Sequence, residues 1–158
     1  MLRIEFWKHS FLLGGDLNIP AENLLMEHHN GSNPFHVDVA KACHHGSSDF
    51  SPVFLAKVSP HATVISSGDN KSFDHPMADA VGSLARHSRG DIPLIFSTEI
   101  GRAVSIDKKT GRIKGIHFGL TNARSNGTTL TMAQMKEQHN KKDVWDSYTV
   151  TYPGKFFF

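Results

Sequence analysis

Cysteine is almost missing from this chain: Cys43 is the only one in 158 residues. An intrachain disulfide is therefore excluded, and the composition suits a reducing, cytoplasmic compartment. Long apolar runs are missing too. None approaches the ~18 residues of a membrane-crossing helix, and "FLLGG" near the start is too short and glycine-broken for the core of a signal peptide. Net charge is small, formally +2, which permits a polyanionic substrate without arguing for one. Basic and aromatic residues do not interleave as they do in proteins that track single-stranded nucleic acid. Internal repeats and linker-like stretches are absent as well, so 1–158 reads as one domain.

Histidine is what the chain has in excess, with 11 copies. That raises the expectation of a metal site or of acid/base chemistry, but position has to choose among them. The first part, 1–100, alternates strands and helices. "FLLGGD" reads as a buried strand ending in a polar turn. "IPAENLLMEHH" follows as a helix with Pro20 in its first turn and Leu24, Leu25 and His28 at helical spacing. "HVDVAKA" is the next strand and runs into Cys43-His44-His45-Gly46. "SPVFLAKVSP" is a short helix with Ser51 as N-cap, Pro52 at its first position and Pro60 as stop. "ATVISSGDN" is a third strand, "HPMADAVGSLARHS" a helix and "PLIFST" a fourth strand.

This rhythm predicts an α/β architecture with right-handed crossovers. The second part, 101–158, carries turn signals at Lys109-Thr110-Gly111 and Ser125-Asn126-Gly127, the pattern of antiparallel hairpins. "QHNKKD" reads as a polar loop and "WDSYTVTYP" as a last strand.

Ligands of α/β sheets gather beyond the carboxyl ends of the strands. Here those ends deliver Asp16 from the first strand, His44 and His45 from the second, and Ser66, Ser67, Asp69 and Asn70 from the third, with His75 just before a helix. Carboxylate plus imidazole is a donor set for Zn, Mn or Fe. Each residue also has a plain reading. Asp16 and Asp69-Asn70 suit turns, His44-His45 a polar loop, His75 a helix cap, and Cys43 a small buried residue.

Taken together, "GGDLNIPAENLL", the "DVAKACHHGSSDF" segment, "VISSGDN" and "HP" resemble the second half of the metallo-β-lactamase superfamily. The nearest branch holds the hydrolase domain of the bacterial DNA-uptake (competence) channel. The resemblance spans roughly Phe11 to Thr98. It implies an αβ/βα sandwich, two sheets face to face with helices outside and a metal centre at one edge. Asp16 matches the family's bridging aspartate. His44 or His45 matches its final metal-binding histidine, with His44 favoured as the first after the strand. His75 matches a position that touches substrate or donates a proton.

The family's main motif, His-x-His-x-Asp-His, precedes the Gly-Asp strand. Only His9 is available in that position here, so the chain resembles the C-terminal half of a longer hydrolase. Such a half leaves the inner face of its sheet bare, to be covered by a missing N-terminal half or by a second copy in a homodimer. The implied activity is metal-dependent hydrolysis of phosphodiester or related ester bonds, with nucleic acid or nucleotide as substrate. The rival reading is a non-catalytic interaction module derived from a degenerate half-domain.

Overall fold

The computed structural model describes residues 1–68, 73–98, 103–106, 109–110, 113–117, 121–135, 145–151 and 155–157. Strands β1 (Leu2–Phe6) and β2 (His9–Leu13) form a hairpin, followed by helix α1 (Ile19–His28), β3 (Val39–Lys41), α2 (Pro52–Val58), β4 (Ala62–Ile65), α3 (Ala78–Arg86) and β5 (Leu94–Ser97). Strands β6 (Ala103–Ile106), β7 (Ile113–His117), β8 (Thr121–Ser125), β9 (Thr129–Met135), β10 (Trp145–Thr151) and β11 (Lys155–Phe157) complete the order.

A five-stranded sheet runs β1-β2-β3-β4-β5, with β1 antiparallel to β2 and the other neighbours parallel. The mixed α/β class expected from the alternating pattern is present. The hairpin-rich part is antiparallel, with β8 to β11 in one sheet and β6-β7 as a pair. Residues 138–143, expected as a polar loop, lie outside the described residues. Among the described residues no helix is long and apolar enough to cross a membrane.

The helix boundaries follow local chemistry. Asn18 caps α1 by accepting from the Ala21 N–H at 3.2 Å, and Ser51 caps α2 by accepting from the Phe54 N–H at 3.4 Å. Helix α2 ends on Ser59 in the left-handed region (φ 38°), directly before Pro60. The expected stripe on α1 is rotated: Leu24 is 66% exposed, while Glu22 is buried and Leu25 and Met26 pack inward. Helix α3 begins after Met77, so His75 is not its cap.

Period-two alternation sorts the sheet's side chains onto two faces. Leu12 and Ala40 meet Phe35, Val37, Phe54 and Val58 on the helix side, where Ile65 also packs with Leu55 and Leu84. Val39, Ala62, Leu94 and Phe96 point the other way. That inner face is not bare, as the half-domain reading expected. Leu130 and Met132 of β9, both 0% exposed, pack on it, with Phe11 and Val64 at its margin. The physical reason is the period of two in a strand: the alternate apolar side chains of "TLTM", Leu130 and Met132, fall on one face and pack on the apolar patch within the same chain.

Candidate metal centre

All four parallel strands point the same way, so their carboxyl ends share one edge. Beyond β2 the chain turns through Gly14-Gly15 to Asp16. Gly14 allows this because a Cβ there would come 2.3 Å from Cys43 Sγ. Beyond β3 it enters a 3₁₀ turn, Cys43–Gly46. The His44 N–H donates to the Gly15 carbonyl at 2.9 Å, and the Ala42 N–H donates to Val64 at 2.8 Å. The three strand ends are thereby tied together.

His44, His45 and Gly46 all take positive φ, 45°, 55° and 83°. A continuing strand would send neighbouring side chains to opposite faces, whereas this left-handed turn lets both imidazoles line one cleft. Two successive non-glycine residues there carry a strain of about 1–3 kcal/mol each, a cost found mainly at functional sites. The cleft has a volume of about 510 Å³ and is walled by Asp16, the two histidines, the Ser66–Gly68 loop, Phe73 and His75.

Within it the side chains form two pairs. His45 donates from Nδ1 to the Ser66 carbonyl at 2.5 Å, which leaves its Nε2 facing Asp16 Oδ1 at 3.4 Å. His44 lies edge-on to His75, ring centroids 5.7 Å apart, and Phe73 stacks on His75 at 5.9 Å. Nδ1 of both His44 and His75 is buried with no hydrogen-bond partner. The structure thus places His45, rather than the favoured His44, against Asp16. As an ion pair between half-exposed groups the Asp16–His45 contact is worth at most about 1 kcal/mol. Among the described residues no three His, Cys, Asp or Glu side chains converge closely enough to hold a metal ion.

The remaining candidates divide as follows. Ser66 contributes its carbonyl, and Ser67 is anchored by Thr98, whose hydroxyl accepts from the Ser67 N–H at 3.1 Å and donates to its carbonyl at 2.6 Å. Asp69 and Asn70 lie outside the described residues. His9 is far from the cleft in sequence register, buried at the opposite end of β2 and bonded to the Ser125 hydroxyl.

No family model, no curated protein and no solved structure matches the chain.

Glu22, which sequence reasoning passed over, sits directly behind the turn. Its carboxylate is fully buried and accepts from the Ser51 N–H at 2.6 Å. Burial pushes its pKa up to about 6, and burial together with the Glu22 carboxylate pushes the Cys43 thiol up to about 12. Burial beside the Glu22 carboxylate thus favours the neutral thiol at Cys43. The signal for Glu22 was available: it lies three and four positions before Leu25 and Met26, on the apolar stripe.

The native state holds the Glu22 proton more tightly than the unfolded chain does. Stability is then highest below pH 4.5 for this group and falls as pH rises toward about 6, by about 2 kcal/mol. Glu22→Gln removes that loss. In urea titrations its stability relative to the wild type is expected to rise by about 1.5 kcal/mol between pH 4.5 and 6.5. Parallel pH curves for the two proteins would exclude a raised Glu22.

Proposed function

We propose that this chain supplies part of a metal-dependent hydrolase centre of the metallo-β-lactamase type, acting on phosphodiester or related ester bonds of a nucleic acid or nucleotide. The observation that carries the proposal is the Asp16–His45 geometry. A separation of 3.4 Å is long for a charge-assisted hydrogen bond. It equals the spacing of two ligands on one tetrahedral ion with bonds of about 2.0–2.1 Å, which is about 3.3–3.4 Å. The Ser66 carbonyl takes the Nδ1 proton of His45, as the outer partner of a ligating histidine does, so Nε2 is the nitrogen turned toward the carboxylate and available to a cation. Donor set and separation suit zinc, with manganese or iron as variants.

Bound there, a divalent cation supplies Lewis acidity to the scissile centre. Asp16 and His45 would hold it. His75, in ring contact with both Phe73 and His44, lines the cleft, where it would pass a proton to a leaving oxygen. The cleft volume falls in the range of small-ligand sites, about 300–1,000 Å³. A four-coordinate site needs more donors than these two, and the half-domain reading draws them from the family's histidine motif, outside the matching segment. The second sheet against the inner face supports the αβ/βα sandwich.

The test is titration of Co²⁺ or Zn²⁺ into the purified protein, followed by absorption and by calorimetry. One saturable site is expected, weakened roughly 10–100-fold or lost in Asp16→Asn and in His45→Gln with circular dichroism unchanged. His44→Gln is expected to weaken it less. Absence of a saturable site would remove the metal reading. The non-catalytic interaction module then stands, which the lack of a third converging ligand among the described residues favours.

A further inference from the structure

We infer that the outer edge of β1 docks a second copy of this chain, β1 pairing antiparallel with β1 about a two-fold axis at Ile4. Among the described residues no strand pairs with that edge, since β1 is terminal in its sheet. Every residue of β1 is exposed, including Leu2 at 55%, Ile4 at 42% and Phe6 at 45%. Edge strands are guarded by proline, a bulge or charged side chains. "LRIEF" has no proline and its register with β2 is regular throughout, and its two charges, Arg3 and Glu5, are of opposite sign, so they complement rather than repel a second copy.

The occupant follows from the strand's own pattern. Leu2, Ile4 and Phe6 pair across to Leu13, Phe11 and His9, so they form one row on the inner-face side. Arg3 and Glu5 project to the other side, where they contact each other at 2.5 Å. In an antiparallel pair, directly opposed residues share a face. A two-fold at Ile4 therefore sets Leu2 opposite the second copy's Phe6, Ile4 opposite Ile4, and Arg3 opposite the second copy's Glu5, twice over.

The other registers that pair at least two apolar residues of each β1 place the axis at Arg3 or at Glu5. They force Arg3 onto Arg3 or Glu5 onto Glu5. Registers shifted by one residue set apolar side chains against charges. Only the pairing centred on Ile4 matches both rows. The contact is isologous, so it closes at two copies and joins two five-stranded sheets edge to edge.

Sedimentation velocity across the micromolar range tests this. The wild type is expected to show a concentration-dependent dimer. Arg3→Glu alone and Glu5→Arg alone are each expected to weaken it by roughly tenfold or more, because attractive opposed pairs become repulsive. The double variant Arg3→Glu/Glu5→Arg restores the complementary pairs and the dimer. Both positions are exposed, and circular dichroism checks that each variant is folded. A monomer at every concentration overturns the inference. So does a dimer that ignores both single reversals, because its interface then lies elsewhere. Slow hydrogen exchange, in a monomer, of the alternate β1 amides that point away from β2 also overturns it, because another segment then occupies the edge.

Discussion

Replacing Gly46 by alanine is expected to destabilise the protein by about 2–4 kcal/mol, a drop in Tm of roughly 5–15 °C. Two costs add. The backbone at Gly46 has φ +83°, where a Cβ is strained. The added carbon would also lie 2.8 Å from Pro76 Cβ and 3.2 Å from Ile65 Cγ2, neither of which is the end of a flexible chain. Relief requires the turn and the His75-Pro76 segment to separate. That separation breaks the bond from the Met77 N–H to the Gly46 carbonyl, 2.9 Å. The same movement parts His44 from His75, so the cleft wall and the stability are expected to be disturbed together. Thermal unfolding by circular dichroism measures the loss of stability. A Tm within about 2 °C of the wild type would mean that the turn and the His-Pro segment are not in contact.

Leu130→Ala is expected to cost about 2–5 kcal/mol in urea denaturation, the range for truncating a fully buried leucine. The comparison that gives this meaning is Leu24→Ala. Leu24 is 66% exposed on α1, and its truncation is expected to stay within about 0.5 kcal/mol. Leu130 belongs to the second sheet and packs on Val39, Ala62, Leu94 and Phe96 of the first. A large loss therefore reports that the inner face is covered from within the chain. A loss as small as that of Leu24→Ala would leave the face bare and return the covering role to another polypeptide.

Much of the fold was legible because its signals are local. Ser51-Pro52 starts a helix through one hydroxyl and one fixed φ, and Asn126-Gly127 turns a hairpin through the Asn126 side chain, which accepts from the Thr129 N–H at 2.8 Å. The β1–β2 hairpin was not legible. Its turn uses Trp7 at φ 54°, a residue type that ordinarily avoids that region, and no glycine or asparagine marks the place. The cover over the inner face was also missed. The alternation of Leu130 and Met132 shows that they share a face, but not which distant strands that face meets.

In the candidate site, the strand ends that carry Asp16, His44, His45 and His75 could be read from the sequence, because parallel strands deliver their ends to one edge. Which histidine meets Asp16 could not be read. Order along the chain favours His44, but the answer depends on a left-handed turn whose strain is set by the Gly15 carbonyl and by the close approach of Pro76 to Gly46.

The contact between His9 and Ser125 joins positions 116 apart, and Trp7 lies over Gly127 of the same hairpin. A nascent chain that has left the ribosome as far as β5 therefore holds every strand of its main sheet while Phe96 and its neighbours are still wetted. Closure waits for the segment around Leu130, which follows β5 only after three further strands. During synthesis the inner face of the main sheet therefore stays open to solvent until β9 has emerged, and the pace of elongation sets how long it does so.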